Sequence, residues 1–264
     1  MNVEESIRGV FHRTLFAPFT KAIRTYHLIS DGDHIAVCIS GGKDSMLMAK
    51  LFQELKNHKK ARFDLTFLVM DPGYSEENMD MIKSNSRKLD IPVTIFKSDI
   101  FDELEQTDKG ICYMCARKRR GSLYKKAREL GCNKIALGHH YDDVIETILL
   151  GMLYGGQVGT MMPKVRSRNY KGMELIRPMY LIKEEDILRW KEYNDLTFLD
   201  CACRVTRDRN DMSKRQYVKD LIATLKEDDP SVAANIFRSV ENVDIDKVIE
   251  YKKEGRRHNF EEDY

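Results

Sequence analysis

The segment SGGKDS, at residues 40–45, combines the groups that bind a phosphate chain. It follows a strand-like apolar run and opens a segment of helical period, so the loop N–H groups and the positive end of the helix dipole face one point. The glycines permit close backbone approach, Ser40 and Ser45 can donate hydrogen bonds, and Lys43 brings a positive charge. Asp44 is suited to hold Mg²⁺ beside the phosphates. The spacing of these residues differs from that of a Walker A loop. The segment predicts an anion site. An ordinary strand-to-helix turn with a capping serine is the structural alternative, because it would contain similar residues.

A second polar segment, GHHYDD at residues 138–143, follows the fourth strand-like run. Parallel sheets bind ligands at the carboxyl ends of their strands, so the two segments are expected to lie together at one edge. Asp143 and Glu146 lie three residues apart on a predicted helix and can share a face. Gly138 lets the chain pass close to a nucleotide. Capping of the helix by Asp142 and Asp143 is the structural alternative.

Four cysteines have the spacing of metal ligands. Cys112 and Cys115 form a C-x-x-C at the start of a predicted helix, and Cys201 and Cys203 follow far along the chain. Three thiolates that converge suit a four-iron four-sulfur cluster with one iron left open. A closed zinc site would need a fourth ligand, and a redox-active pair is a further alternative. The spacing therefore favours an iron–sulfur cluster.

Basic residues are concentrated in two stretches, although the net charge is only +2. Residues 117–128 contain seven Lys or Arg and no acid, and a second group consists of Lys164, Arg166, Arg168, Lys171 and Arg177. The first stretch spans more than two helical turns, so its side chains cannot all point one way. An RNA backbone fits such a surface, while a solvated helix face is the ordinary alternative. Arg119 or Arg120 could instead face a triphosphate, and the sequence leaves both roles open.

The elements that must position these residues alternate between strand and helix. Strands are predicted at residues 34–39, 64–70, 92–96 and 134–137, and helices at 45–57, 76–89, 116–130 and 142–154. This rhythm predicts an α/β fold, a parallel sheet with helices on both faces. A helix at residues 7–26, broken near Pro18, precedes it. Shorter helices are predicted after it at 183–193, 213–225, 230–240 and 244–252. The expected division is an N-terminal helical segment, 1–30, an α/β domain, 31–180, and a C-terminal helical region, 181–264.

Composition places the chain among globular proteins. Its 264 residues are 42% hydrophobic and 33% charged, with 15 Gly and 6 Pro. No apolar run approaches the ~20 residues that span a bilayer, and no signal peptide is recognised, so we expect a cytoplasmic protein with no membrane association. Six cysteines in such a chain argue against a disulfide framework. Cys38 and Cys132 lie among apolar residues and are expected to pack as small hydrophobes.

The two polar motifs resemble those of a known family. SGGKDS resembles the signature of the ATP pyrophosphatase (PP-loop) group, whose members bind ATP and release pyrophosphate. GHHYDD, with VIET and YGG after it, resembles the second ATP-site motif of the tRNA thiolases, above all the tRNA 2-thiocytidine synthetases. RTYHLISDGDHIAVCISGGKDSM is similar to that family's first strand, so the resemblance covers most of residues 20–220. It implies an adenine nucleotide α-hydrolase-like, Rossmann-like fold.

The resemblance also implies roles for individual residues. Lys43, Asp44 and Asp143 are expected to be catalytic. The residues expected to bind ATP are Ser40, Gly41, Gly42, Lys43, Asp44, Ser45, Met70, Gly138, His139 and Asp143. Asp71 could join them or form a turn. The family pattern makes Cys112, Cys115 and one downstream cysteine the ligands of a [4Fe-4S] cluster. Here the downstream motif is Cys-Ala-Cys-Arg instead of C-x-x-C, so Cys201 and Cys203 compete, and matching the first cysteine favours Cys201.

By the same resemblance, the reaction is thiolation of tRNA. ATP, with Mg²⁺, would adenylate the C2 oxygen of a pyrimidine, a cytidine of the anticodon loop, and sulfur delivered through the cluster would replace that oxygen. The implied partners are tRNA, a sulfur donor (sulfide or a cysteine desulfurase system) and a second copy in a homodimer. Thiolation of a uridine by the same scheme remains an alternative, and so does a lysidine-synthetase-like ligase. A non-enzymatic iron–sulfur protein that binds RNA or senses redox state is the alternative of a different class.

Overall fold

The computed structural model describes residues 2–58, 62–98, 111–199 and 214–263, with only the backbone described at 111–116 and 263. Close packing divides the chain into two compact units, one made of Met1–Asp143 and Met162–Asp211, and the other of Val144–Met161 and Met212–Tyr264. Cys201 and Cys203 lie outside the described residues.

The strands, in chain order, are β1 (His34–Ile39), β2 (Asp64–Asp71), β3 (Val93–Lys97), β4 (Lys134–Ala136), β5 (Lys164–Arg166), β6 (Glu174–Ile176), β7 (Glu250–Lys253) and β8 (Arg256–Asn259). The helices are α1 (Val3–Arg8), α2 (Ala17–Thr25), α3 (Lys43–Asn57), α4 (Glu76–Lys88), α5 (Ile111–Glu129), α6 (Tyr141–Gly155), α7 (Glu184–Tyr193), α8 (Lys214–Asp228) and α9 (Val232–Ser239). A π-helical segment, His12–Phe16, precedes α2, and 3₁₀ turns occur at Ile245–Lys247 and Phe260–Asp263.

A six-stranded sheet forms the centre of the first unit, with the strand order β3-β2-β1-β4-β6-β5. The first five of these strands run parallel, and β5 pairs antiparallel with β6 at the edge. The four predicted strands are confirmed with nearly the predicted bounds. The sequence analysis missed β5 and β6, because each is only three residues long and lies in a stretch rich in charge.

Both faces of this sheet are covered, as alternate residues of β1 show. Ile35, Val37 and Ile39 belong to one buried cluster, which includes residues of α1, α3 and α7. Ala36 and Cys38 point to the opposite face and join a second cluster, which includes residues of α5 and β6. Since side chains alternate across a strand, helices lie on both faces of the sheet. This confirms the predicted fold class and explains why β1 is almost wholly apolar.

Two helical predictions need correction. The helix predicted at residues 7–26 is interrupted by the turn at residues 9–11, and the π-helical segment that follows leads directly into α2. Pro18 stands in the first turn of α2, where its missing N–H costs little. The helix predicted at residues 244–252 is wrong. In its place are a 3₁₀ turn and the β7–β8 hairpin, whose turn residues Glu254 and Gly255 have φ values of +53° and +82°. A two-residue turn with both φ angles positive matches the twist of a hairpin.

A buried ion pair ties the amino ends of two strands together. Lys134, at the start of β4, lies with its Nζ 2.9 Å from Asp33 and 3.2 Å from Glu174, and it donates to the carbonyl of Leu28 at 2.9 Å. Burial raises the pKa of Asp33, but the hydrogen bonds from Lys134, Asn133 and a backbone N–H more than offset this and hold that pKa below its ordinary value. The ionised carboxylate therefore stabilises the fold.

Replacing Asp33 by Asn should lower the free energy of unfolding at pH 7 by about 3 kcal/mol, because Lys134 would keep a buried charge without its nearest partner. A carboxyl whose pKa is lowered on folding stabilises the protein above its ordinary value of 3.8 and loses that effect as the pH falls below it. The difference from the wild type should therefore close below pH ~4. Urea unfolding at several pH values measures this.

The exposed pair between Lys56 and Asp64, 3.2 Å apart, supplies the control. Asp64→Asn should cost less than about 1 kcal/mol, since water screens both groups. Equal losses for the two Asn variants would contradict the role given to the buried pair.

Candidate active site

The loop between β1 and α3 is held by its own hydroxyl groups. The backbone N–H of Ser40 donates to Oγ of Ser45 at 3.1 Å, and Oγ of Ser45 donates to the carbonyl of Gly42 at 2.9 Å. Helix α3 begins at Lys43, and no side chain caps its amino end. Its first N–H groups therefore remain available to an anion, in a loop that is already ordered.

Glycine is required at position 41. Gly41 has a φ of +89°, and a Cβ there would lie 2.6 Å from Cγ1 of Ile82 and 2.9 Å from Cδ1 of Leu199. Conformation and space both exclude a side chain, so this turn depends on the glycine that the sequence motif contains.

The two sequence motifs meet at Gly138. A Cβ on Gly138 would lie 3.2 Å from the backbone carbon of Asp44 and the backbone nitrogen of Ser45. We predicted that this glycine allows close approach to a nucleotide. In the structure it allows close approach of the second motif to the first turn of α3, which places the carboxyl ends of β1 and β4 in one site.

His140 lies among the carboxylates of both motifs and is almost fully buried. Its Nε2 is 3.6 Å from Oδ2 of Asp143 and 3.9 Å from Oδ1 of Asp44, and its Nδ1 is 3.8 Å from Oδ2 of Asp142. The backbone N–H of His140 donates to Asp143 at 3.1 Å. The structure thus brings together Asp44 and Asp143, which lie far apart in sequence, with His140 between them.

Lys43 is held between two carboxylates. Its Nζ lies 3.2 Å from Asp44 and 3.1 Å from Glu184, the first residue of α7. Burial lowers the pKa of Lys43, but the two carboxylates more than offset this and raise it above its ordinary value. Lys43 is therefore positively charged at neutral pH. Sequence reasoning missed Glu184, because an acidic run that opens a helix is explained by the helix dipole alone.

Asp142 fixes the position of α7 relative to the second motif. Its Oδ2 accepts a hydrogen bond of 2.7 Å from the backbone N–H of Glu184. This is the capping role given as the structural alternative, but the helix that Asp142 caps is α7 and not its own helix. The contact holds Glu184 beside Lys43.

Arg177 is a buried cation directly after β6. Its Nε donates to Nδ1 of His139 at 3.3 Å, and its Nη1 donates to the carbonyl of Met162. Burial and the neighbouring Arg120 lower its pKa to about 10, so it stays charged at neutral pH. Because Nδ1 of His139 accepts, the neutral ring carries its hydrogen on Nε2. The sequence analysis placed Arg177 in the second basic stretch and gave it no individual role, because the strand before it, β6, was not predicted.

Other predicted site residues have clear local roles. Met70 is 7% exposed and packs in the second hydrophobic cluster. Asp71 accepts hydrogen bonds from the backbone N–H groups of Gly73 at 3.0 Å and Tyr74 at 2.9 Å, so its turn-forming role is confirmed. Contact of Met70 with a nucleotide stays a prediction.

Glu146, which we expected to share a helix face with Asp143, forms an ion pair. In the second unit, its buried carboxylate lies 3.1 Å from Nη1 of Arg215, on α8. The shared helix face that the spacing indicates is therefore used for an ion pair between α6 and α8.

The cysteines divide into two groups. Cys112 and Cys115 lie in the first two turns of α5. Cys38 and Cys132 are buried, as predicted, and burial, together with the neighbouring Cys132, raises the pKa of Cys38 to about 12. Among the described residues, no group of three or more His, Cys, Asp and Glu side chains is arranged to hold a metal ion. The cluster ligands therefore stay a prediction.

The basic residues of α5 point in several directions, as the helical period requires. Arg117, Arg120, Lys125 and Arg128 are exposed, and Lys118, Arg119 and Lys126 are half-buried. Arg128 lies over the ring of Tyr170 at 5.4 Å. Arg120 is close enough to Arg177 to lower its pKa, so positive charge also accumulates beside the second motif. In the described part of the chain, no helix is both long and apolar enough to cross a membrane.

Comparison with known proteins identifies the family to which this chain belongs. Residues 14–219 match the PP-loop domain family, so the chain belongs to it. The curated relatives are more specific. The chain is 37% identical over 226 residues to the tRNA-cytidine(32) 2-sulfurtransferase of Syntrophotalea carbinolica, with 84% of this chain and 86% of the relative covered. A relative of the same name from Geotalea uraniireducens is 34% identical over 239 residues, with 88% and 93% covered. The chain is a member of the tRNA-cytidine(32) 2-sulfurtransferase family.

A solved structure has the same fold. The U34-tRNA thiolase NcsA from Methanococcus maripaludis, with its [4Fe-4S] cluster, matches with a TM-score of 0.66 and 21% identity, over 88% of this chain and 82% of that chain. The adenine nucleotide α-hydrolase-like fold implied by the sequence motifs is thus confirmed.

Gly41→Ala should lower the free energy of unfolding by about 2 kcal/mol or more, because the new methyl group adds a clash to an unfavourable φ angle. A substitution at Gly172 shows the effect of the φ angle without the clash, since its φ is +84° and a Cβ there would have no neighbour within 4 Å. Gly172→Ala should cost only about 1 kcal/mol. Thermal and urea unfolding measure both variants, and equal losses would contradict the packing argument at the loop.

Arg177→Met should lower the free energy of unfolding by about 2 kcal/mol, because it removes the donors to His139 and to the carbonyl of Met162. Arg166, on β5, is the control: its side chain is 91% exposed and lies 3.8 Å from Glu174. Arg166→Met should change stability by less than about 1 kcal/mol. Urea unfolding compares the variants, and a neutral Arg177→Met would show that its hydrogen bonds do not support the site.

Proposed function

We propose that this protein uses ATP to adenylate the C2 oxygen of a cytidine in the anticodon loop of tRNA and then replaces that oxygen with sulfur. The observation that carries the proposal is the meeting of the SGGKDS and GHHYDD motifs, where Gly138 packs on Asp44 and Ser45. The names of the curated relatives support the substrate and the base. A carbonyl oxygen is a poor leaving group, so its replacement needs activation by ATP.

The atoms balance in two steps. The C2 oxygen attacks the α-phosphorus of ATP, and the bond to pyrophosphate breaks. Sulfide then attacks C2, and AMP leaves with the original oxygen, so the products are 2-thiocytidine, AMP and pyrophosphate. The enzyme has to stabilise the negative charge of the departing pyrophosphate, which is the task of fixed donors in a preorganised site.

The loop at residues 40–45 supplies those donors. We assign the pyrophosphate to the uncapped amino end of α3 and to the charged Lys43, whose position Glu184 fixes. Asp44 would hold Mg²⁺ beside the phosphates, and Asp143, which shares His140 with Asp44, would act with it in catalysis.

The remaining nucleotide contacts come from the same sheet edge. Met70 ends β2, Gly138 and His139 follow β4, and we propose that they line the ATP site with the loop. Arg177 holds His139 through Nδ1, so Nε2–H can donate to a bound nucleotide. In this scheme His139 orients the nucleotide and does not take a proton from it.

Cys112, Cys115 and Cys201 would hold a [4Fe-4S] cluster. Thiolates are the ligands such clusters require, and three of them leave one iron open, which when present supplies a binding position for sulfide. The cluster named with the NcsA structure belongs to that protein; in this chain the C-x-x-C of α5 would supply two of the thiolates. Cys203 is the competing third ligand.

We propose the following partners and division of labour. Residues 31–180 bind ATP and carry the basic helix α5 toward tRNA, residues 181–264 contribute the third cysteine, and residues 1–30 support the sheet. Sulfide or a cysteine desulfurase system donates the sulfur, a second copy completes a homodimer, and the reaction takes place in the cytoplasm.

Release of pyrophosphate tests the first step. Purified protein with ATP and unmodified tRNA should release pyrophosphate, and Lys43→Ala should reduce the rate by about 100-fold, the loss typical of one preorganised charge-stabilising group. Lys56→Ala, at the exposed end of the same helix, should keep the wild-type rate. A wild type that binds tRNA but releases no pyrophosphate with it would support the non-enzymatic alternative.

Analysis of nucleosides by mass spectrometry tests the second step. The treated tRNA should contain 2-thiocytidine, and 2-thiouridine alone would support the uridine alternative. Cys112→Ala and Cys201→Ala should abolish both thiolation and the iron–sulfur absorption of anaerobically purified protein, whereas Cys203→Ala should keep both. Colourless, zinc-loaded protein that remains active would overturn the cluster assignment.

A further inference from the structure

The β7–β8 hairpin, near the C-terminal end of the chain, presents two pairs of positive charges. Lys252 lies opposite Arg257, and Lys253 lies opposite Arg256, in the antiparallel register of the two strands. All four side chains are exposed. The hairpin lies beyond residues 14–219, which match the PP-loop domain, so the ATP site does not account for it.

One face of the hairpin combines cations with aromatic rings. Residues directly opposite in an antiparallel pair share a face, as do residues two apart on one strand. Tyr251, Lys253, Arg256 and His258 therefore lie on one face, which we call the aromatic face. The rings of Tyr251 and His258 are stacked, with their centroids 4.9 Å apart and an angle of 16° between their planes.

The aromatic pair is held in place by a neighbouring carboxylate. Nδ1 of His258 lies 3.1 Å from Oε2 of Glu262, four residues further along the chain. This contact orients the imidazole ring on the hairpin. The stacked pair is therefore an ordered platform, to which a further planar group can be added.

Within the described residues, the two cations of this face have no carboxylate partner. Like charges directly opposite on a hairpin destabilise it, yet across the described ranges no carboxylate pairs with Lys253 or Arg256. On the other face, Arg257 lies 3.7 Å from Glu250. Packing does not explain two opposed cations at the tip of an exposed hairpin, whereas a polyanion would neutralise both.

We propose that the aromatic face of the hairpin binds a single-stranded part of the tRNA. Phosphates would contact Lys253 and Arg256, and an unpaired base would stack on the pair of Tyr251 and His258. Stacking on aromatic rings beside a basic track is how proteins hold single strands without base-specific hydrogen bonds. The inference rests on the proposed function for the identity of the RNA, and it adds a second contact surface for that substrate.

Binding of unmodified tRNA to the full-length protein tests the inference. The double variant Lys253→Ala/Arg256→Ala should raise the Kd about tenfold, and it should reduce the slope of log K against log salt by about 1.4, from ~0.7 for each phosphate contact on a single strand. The matched control, Lys252→Ala/Arg257→Ala, removes the same charge from the opposite face and should change the Kd less than threefold. Equal effects of the two double variants, or none, would overturn the proposal.

Variants of Tyr251 test the stacking separately. Tyr251→Ala should weaken tRNA binding at least fivefold without changing the salt slope, and Tyr251→Phe should restore it, because only the ring face is needed. If Tyr251→Phe binds as weakly as Tyr251→Ala, the stacking role is wrong. If the Lys253→Ala/Arg256→Ala variant loses affinity for phosphatidylserine vesicles but keeps its affinity for tRNA, the surface binds membranes and the proposal fails.

Results that refute the hairpin surface differ from results that refute the proposed function. A wild type that thiolates tRNA, together with hairpin variants that bind tRNA normally, would refute only the hairpin surface. A wild type that neither binds tRNA nor releases pyrophosphate with it would refute the proposed function. Under the proposal, the Lys253→Ala/Arg256→Ala variant keeps the wild-type pyrophosphate release at saturating tRNA and shows a raised KM for tRNA.

Discussion

The contact between Gly138 and the first turn of α3 is the constraint on which the rest of the site depends. A hydrogen atom in place of a side chain lets the backbone after β4 approach that of Asp44 and Ser45 to van der Waals distance. Everything that joins the two motifs follows from this approach: the position of His140 between the carboxylates, and the anchoring of α7 by Asp142 beside Lys43. A methyl group at this point would push the two backbone segments a few tenths of an ångström apart.

The charges of the site form a connected set. The acidic groups Asp44, Asp143 and Glu184 lie around Lys43 and His140, and Arg177 donates a hydrogen bond to the adjacent His139. Lys43 keeps its charge because two carboxylates offset its burial. Arg177 keeps its own charge although burial lowers its pKa. The charged groups of the site are thus held in place by one another, and under the proposed function they would meet phosphate oxygens and a cation without rearrangement.

The elements that could be predicted from the sequence are those in which a single requirement, such as burial on both faces, determines the residue types. Strand β1 was recognisable because burial on both faces requires a continuous apolar run, and the anion loop because few residue types serve a strand-to-helix turn that binds phosphate. Strands β5 and β6 were not recognised, since each is short and carries charge, whereas the equally short β4 lies in the mostly apolar run KIAL. Residues 244–252 were predicted to form a helix from a weak helical pattern. In the structure they lead into a hairpin, whose turn residues Glu254 and Gly255 have positive φ angles, and the helical pattern gave no sign of that turn.

The sequence motifs indicated which residues meet in the site, but not the contacts that these residues make with other segments. Motif spacing identified Asp44, Lys43 and Asp143, but not Glu184 or Arg177, because a contact between distant segments leaves no mark in local sequence.

The burial of Cys38 and Cys132 has a consequence for a protein that handles reactive sulfur. Burial raises the pKa of both thiols, and a thiol that stays protonated is a poor nucleophile, so both residues are poor acceptors of sulfur from a persulfide. Sulfur on its way to the nucleobase is thereby not lost to the enzyme's own core.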